Sequence, residues 1–172
     1  MIDTLIESLQ KESDRGCVLI GAELLSDTLQ SRLEQVMQGG KKLKNELLTG
    51  LGPISTFSAK IKISYCFKVI SQNTYRELNY LRAIRNVAAH SIGGFSFEHE
   101  EVKNHLALMK FFESALIRIE NGEFEEELVN TEMREALLIV KQKNLFSGRA
   151  KYNYTVALLY GMLAKSEEGA NN

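Results

Sequence analysis

Proline and tryptophan are almost missing from this chain: 172 residues hold one proline, Pro53, and no tryptophan. Proline averages about 5% of a protein, so most of this sequence is free of the residue that interrupts helices. Cysteine is scarce too. Cys17 and Cys66 form no CxxC pair, which argues against a metal knuckle or redox motif and predicts two buried free thiols. Charge of one sign is not in excess. The formal net charge is −1 and the pI about 6.3, so no global field recruits nucleic acid or an anionic membrane. No apolar run approaches the roughly 20 residues that span a bilayer. The start, MIDTLIESLQ, lacks the basic and apolar stretches of a signal peptide. The expectation is a cytoplasmic protein.

What is present is helical periodicity. Hydrophobic residues make up 44% of the chain, and its 12 glycines fall largely between periodic stretches. Ile2, Leu5, Ile6 and Leu9 predict a short first helix. Cys17, Ile20, Leu24 or Leu25, Leu29, Leu33 and Val36 recur at steps of three and four, predicting a long helix from an Asp14 cap to Met37. Lys41, Lys42 and Lys44, after Gly39-Gly40, read as a solvated turn; the P-loop spacing is absent. LTGLGPIS reads as a loop. The segment from Ile54 to Ile70 has strand-like composition, but Phe57, Ile61, Tyr65 and Val69 recur every four residues, and helix is the preferred reading. Ser71 can cap a helix bearing Tyr75, Leu78, Leu81, Ile84 and Ala88. Ser96 can cap one continuous helix to Asn121-Gly122, burying Val102, Leu106, Met109, Phe112, Leu116 and Ile119. Two more helices are expected over Thr131–Lys143 and Arg149–Lys165. The sum is an all-α bundle of six or seven helices, one domain over residues 1–166 with a frayed tail at 167–172.

Within LRAIRNVAAH, Arg82, Asn86 and His90 stand at i, i+4 and i+8, one polar strip of a helix, with Arg85 on its flank. Arg-Asn-x-x-x-His has chemical uses. Arginine can hold a phosphate, histidine can move a proton near neutral pH, and asparagine can orient either. The spacing resembles the RNxxxH motif of the HEPN superfamily, which implies a dimeric, metal-independent RNase using Arg85, Asn86 and His90. The structural alternative stays open: Arg85 pairs with Glu77 or Glu101, and His90 settles against the helix dipole.

A longer block, ELLTGLGPISTFSAKIKISYCFKVISQNTYRELNYLRAIRNVAAH, resembles the mannitol operon repressor family. The resemblance rests on Leu48 with Gly50-Leu51-Gly52-Pro53, on Phe57 to Lys62, on Tyr75, and on Leu81-Arg82-x-Ile84-Arg85-Asn86-x-x-Ala89-His90. The family pattern favours an aromatic where this chain has Ala88. The resemblance implies an all-helical regulator of sugar-alcohol operon expression that works through a protein partner, without a cofactor. The interaction surface it suggests combines Gly50, Gly52, Pro53, Lys60, Arg82, Arg85, Asn86 and His90. A homodimer burying this face is a further reading. Direct DNA reading is disfavoured, since Tyr75 and Leu78 of the helix after Ser71 are expected to point inward. Lys60, Lys62 and Lys68 are read either as an exposed lysine face or as neutralising an anionic partner. His99 and His105 lack a third ligand, so no zinc site is expected. The acidic run EFEEEL reads as solvated.

Overall fold

In the computed structural model, residues 2–123, 134, 137, 138, 141 and 147–165 are described. Among them, eight helices and no strand occur: α1 (Ile2–Lys11), α2 (Asp14–Val36), α3 (Lys41–Leu48), α4 (Phe57–Cys66), α5 (Gln72–His90), α6 (Glu100–Leu108), α7 (Phe111–Glu120) and α8 (Gly148–Lys165). The fold is all-α, with a helix count slightly above expectation. Most of Thr131–Lys143 and the EFEEEL run lie outside the described residues.

The long helix α2 is the hub, packed against α8, α4, α5 and α1. Ser13, one residue before the expected cap, accepts from Gly16 N at 3.0 Å. The buried face of α2 is Cys17, Val18, Ala22, Leu25, Leu29 and Leu33, while Ile20 and Val36 stay exposed. Gly21 permits close approach of α8, because a Cβ there would meet Val156 and Tyr152 at 3.2–3.3 Å. Tyr152, fully buried, donates its hydroxyl to Val18 O at 3.0 Å.

The segment after Pro53 is helical, and Thr56 caps it by accepting from Ala59 N at 3.2 Å. It is shorter than expected, ending at Cys66; Lys68 then takes a left-handed φ of 58°. The expectation of two buried thiols holds for Cys17 only, because Cys66 is exposed. Lys41-Lys42-x-Lys44 is also not a turn. It opens α3, whose Leu48 is buried.

The continuous helix expected from Ser96 breaks at Met109-Lys110. All six residues of its expected apolar stripe are nevertheless buried. The break has a remote cause. Glu77 of α5, only 4% exposed, accepts from Lys110 N at 2.7 Å and Phe111 N at 2.9 Å, so its carboxylate caps α7 from another helix. Lys151 of α8 joins the cluster, donating to Met109 O at 2.9 Å and Glu113 at 2.5 Å. Burial pushes the Glu77 carboxyl above its usual range, opposed by the two amides and by Lys151.

Candidate functional site

Ser71 opens α5 as expected, accepting from Thr74 N at 3.2 Å. Leu78, Leu81, Ile84 and Ala88 are buried without remainder. That fixes the helix rotation and turns the strip of Arg82, Asn86 and His90 away from the core. Arg82, Arg85 and Asn86 are half-buried and His90 is exposed. Arg82 Nε is enclosed and has no hydrogen-bond partner among the described residues. Among the described residues, none supplies a hydrogen bond or ion pair to the side chains of Arg85, Asn86 or His90. The anticipated Arg85–Glu77 pair is not formed, because Glu77 caps α7. Glu101, the other anticipated partner, is exposed at the start of α6.

The glycine corner is built on two specific requirements. Gly50 adopts φ 57°, where an L side chain is strained. At Gly52 a Cβ would fall on the carbonyl oxygens of Glu46 and Leu47, and 2.6 Å from the Leu47 carbonyl carbon. The backbone folds back on α3 through Gly52 N to Thr49 O and Ile54 N to Leu47 O, both 2.9 Å. Leu51 is fully exposed at the tip and Pro53 is exposed beside it.

Helix directions give the relative levels of the two features. Tyr65 of α4 stacks on Tyr75 of α5 with ring centroids 4.7 Å apart, and only residues 67–71 join the two helices, so they run antiparallel. Ten residues of α4 extend about 15 Å, which carries its N-terminus back to the level of Arg82. The corner precedes that N-terminus. Arg15 of α2 reaches the C-terminal end of α5 and donates to Ser91 O. The N-terminus of α4, which the Gly50–Pro53 corner precedes, therefore stands beside the middle of α5, and Lys60 beside Ser26 and Gln30 of α2, whereas His90 lies at the far end of α5.

Lys60 does not join them on the surface. It is 4% exposed and points at α2, donating to Gln30 Oε1 at 2.9 Å and Ser26 Oγ at 3.3 Å. Burial holds its ammonium below the ordinary lysine range, opposed by Asp27, Glu23 and Glu34. The exposed-face reading is corrected at Lys60 and stands at Lys62 and Lys68, which are exposed. The inward turn follows from spacing: Lys60 neighbours Ile61 and Ser64 on the buried side of α4. The capping role of Glu77 and the part of Lys151 escaped sequence reasoning, because their partners lie more than 30 residues away. Among the described residues, no group of three His, Cys, Asp or Glu is placed to hold a metal, and no helix is long and apolar enough to cross a membrane.

An all-helical domain with a sharp glycine corner and an outward-facing arginine–histidine strip is the class the fold defines. A solved structure titled as the X-ray structure of the MtlR–HPr complex from Escherichia coli has the same fold, with a TM-score of 0.60 and 19% identity over 95% of this chain and 96% of that one. No curated protein matches the chain. The family model for the mannitol repressor, MtlR, matches residues 1–145, and the chain belongs to that family.

Proposed function

We propose that this protein regulates expression of a sugar-alcohol operon of the mannitol type by docking a protein partner, and that the partner is HPr-like. The observation that carries the reading is membership of the mannitol repressor family. The end-to-end likeness to a chain crystallised with HPr supports the choice of partner. The contact surface combines the strip of Arg82, Arg85, Asn86 and His90 with the Gly50–Pro53 corner. Half-buried guanidiniums that no described side chain engages suit a docking face, since their donors can take acceptor groups from a partner. Lys60 acts there indirectly, by fixing α4 against α2.

The test is calorimetric titration of the purified protein with HPr from the same organism. Binding that Arg85→Glu weakens at least tenfold, or about 1.4 kcal/mol, with far-UV circular dichroism unchanged, supports the reading. Absence of binding overturns the partner, and binding indifferent to Arg85→Glu and His90→Ala overturns the surface. Metal-independent RNA cleavage abolished by His90→Ala would replace the regulator with the RNase that the Arg85-Asn86-x-x-x-His90 spacing resembles.

A further inference from the structure

The other end of the α4–α5 pair is built differently. Residues 35–76 contain seven lysines and arginines and one acidic residue, Glu46, a net +6 in a chain of net −1, which leaves −7 for the rest. Lys41, Lys42, Lys62, Lys68 and Arg76 of this stretch are exposed. Arg15 lies against Ser91, so α5 runs antiparallel to α2; α4 is therefore parallel to α2. The C-termini of α2 and α4 and the N-terminus of α5 consequently gather at one end. The N-terminal half of α3 joins them, because Lys44 is bound to Glu34 O of α2.

Apolar groups are exposed among these cations. Tyr65, Cys66 and Phe67 form three consecutive exposed residues, with Phe67 63% exposed. Leu43 and Val36 add 49% and 54%. A run of this kind is costly on a soluble surface without a function. The turn presenting it is a fixed helix cap: Lys68 stands at φ 58° directly after Phe67, with Lys68 N bonded to Tyr65 O at 3.0 Å and Val69 N to Ser64 O at 2.8 Å.

We propose that this end is a second docking surface, and that its occupant is an acidic protein segment carrying apolar side chains. Lysines around an aromatic and aliphatic centre reproduce the apolar core and polar rim of a protein interface. Bases would stack on Phe67 but gain nothing specific from Leu43 and Val36, which disfavours a nucleic acid. The surface lies about 27 Å from His90, the length of α5. Both partners can therefore be held at once, making the chain a bridge between them.

The experiment is fluorescence anisotropy with four labelled probes and the full chain. They are an amphipathic peptide alternating Glu with Leu and Phe at helical spacing, its scrambled counterpart, a 20-nucleotide oligo-dT, and vesicles of anionic phospholipid. The expected result is salt-sensitive binding of the amphipathic peptide, tighter than any other probe. Phe67→Ser and the Lys62→Glu/Lys68→Glu pair should each weaken it at least tenfold, with thermal midpoint and HPr titration unchanged. Failure of that peptide to bind, tighter binding of the oligonucleotide or the vesicles, or indifference to both variants overturns the proposal. Arg85→Glu should leave this binding intact, so loss of the HPr contact and loss of this one are read separately.

Discussion

Replacing Glu77 with alanine removes the acceptor that caps α7 from α5. Two backbone amides, Lys110 N at 2.7 Å and Phe111 N at 2.9 Å, then lose their partner. A lost helix cap costs about 1 kcal/mol, and a half-buried donor left unsatisfied costs about 1–3 kcal/mol. Lys110 is exposed, so water can take over part of its bond, and the combined loss is about 2–4 kcal/mol. Glu77→Gln keeps a carbonyl oxygen in the same place and should cost only about 1 kcal/mol. Urea unfolding followed by far-UV circular dichroism gives both values from the midpoint at a common slope. If Glu77→Ala unfolds within about 0.5 kcal/mol of the parent, the range of ordinary surface changes, remote capping is not what holds the α6–α7 break. Equal losses for alanine and glutamine would instead mean that the charge, and not the acceptor geometry, is what matters.

The same carboxyl gives a pH signature. Burial raises its pKa in the folded state, so its contribution is fully present below the ordinary value of 4.5 and fades as pH rises through the folded value. The stability of the parent relative to Glu77→Gln should therefore fall as pH climbs above 4.5, measured as paired urea midpoints. Gly52→Ala should cost about 1–3 kcal/mol through forced backbone displacement, and Gly50→Ala about 1–2 kcal/mol through its positive φ; thermal melts rank them. Lys60→Glu buries a like charge beside Glu23, Asp27 and Glu34 and should lose at least about 3 kcal/mol, whereas Lys60→Met should lose about 1. Denaturation of both variants separates a buried lysine from an exposed one. Lys68→Gly relieves φ 58° and should gain about 0.5–1 kcal/mol while weakening capture of the acidic peptide.

The parts legible in the sequence are those whose causes are local. Ser71, Leu78, Leu81, Ile84 and Ala88 announce α5, because cap and periodicity both sit within the helix they define. The helix after Pro53 was legible for the same reason, despite its β-branched composition. The α6–α7 break was not. No glycine or proline marks it, and the group that stabilises the new helix start comes from Glu77, 33 positions upstream. Lys60 likewise reads as surface by residue type, and only the hydroxyl and amide waiting on α2 make its burial tolerable. The α3 helix was hidden by Gly39-Gly40 and three lysines, a composition that suits a turn as well as a helix start. The polar strip on α5 was readable as a strip. Its level relative to α4 needed the chain directions of α4 and α5, which no single segment encodes.

Hydrogen–deuterium exchange of the chain alone and with saturating HPr tests the central claim most directly. The account predicts new protection over residues 50–56 and 82–91, with amides of the α4–α5 turn at 65–71 unchanged. Protection confined to that turn or to α6, or none anywhere at saturation, would contradict it.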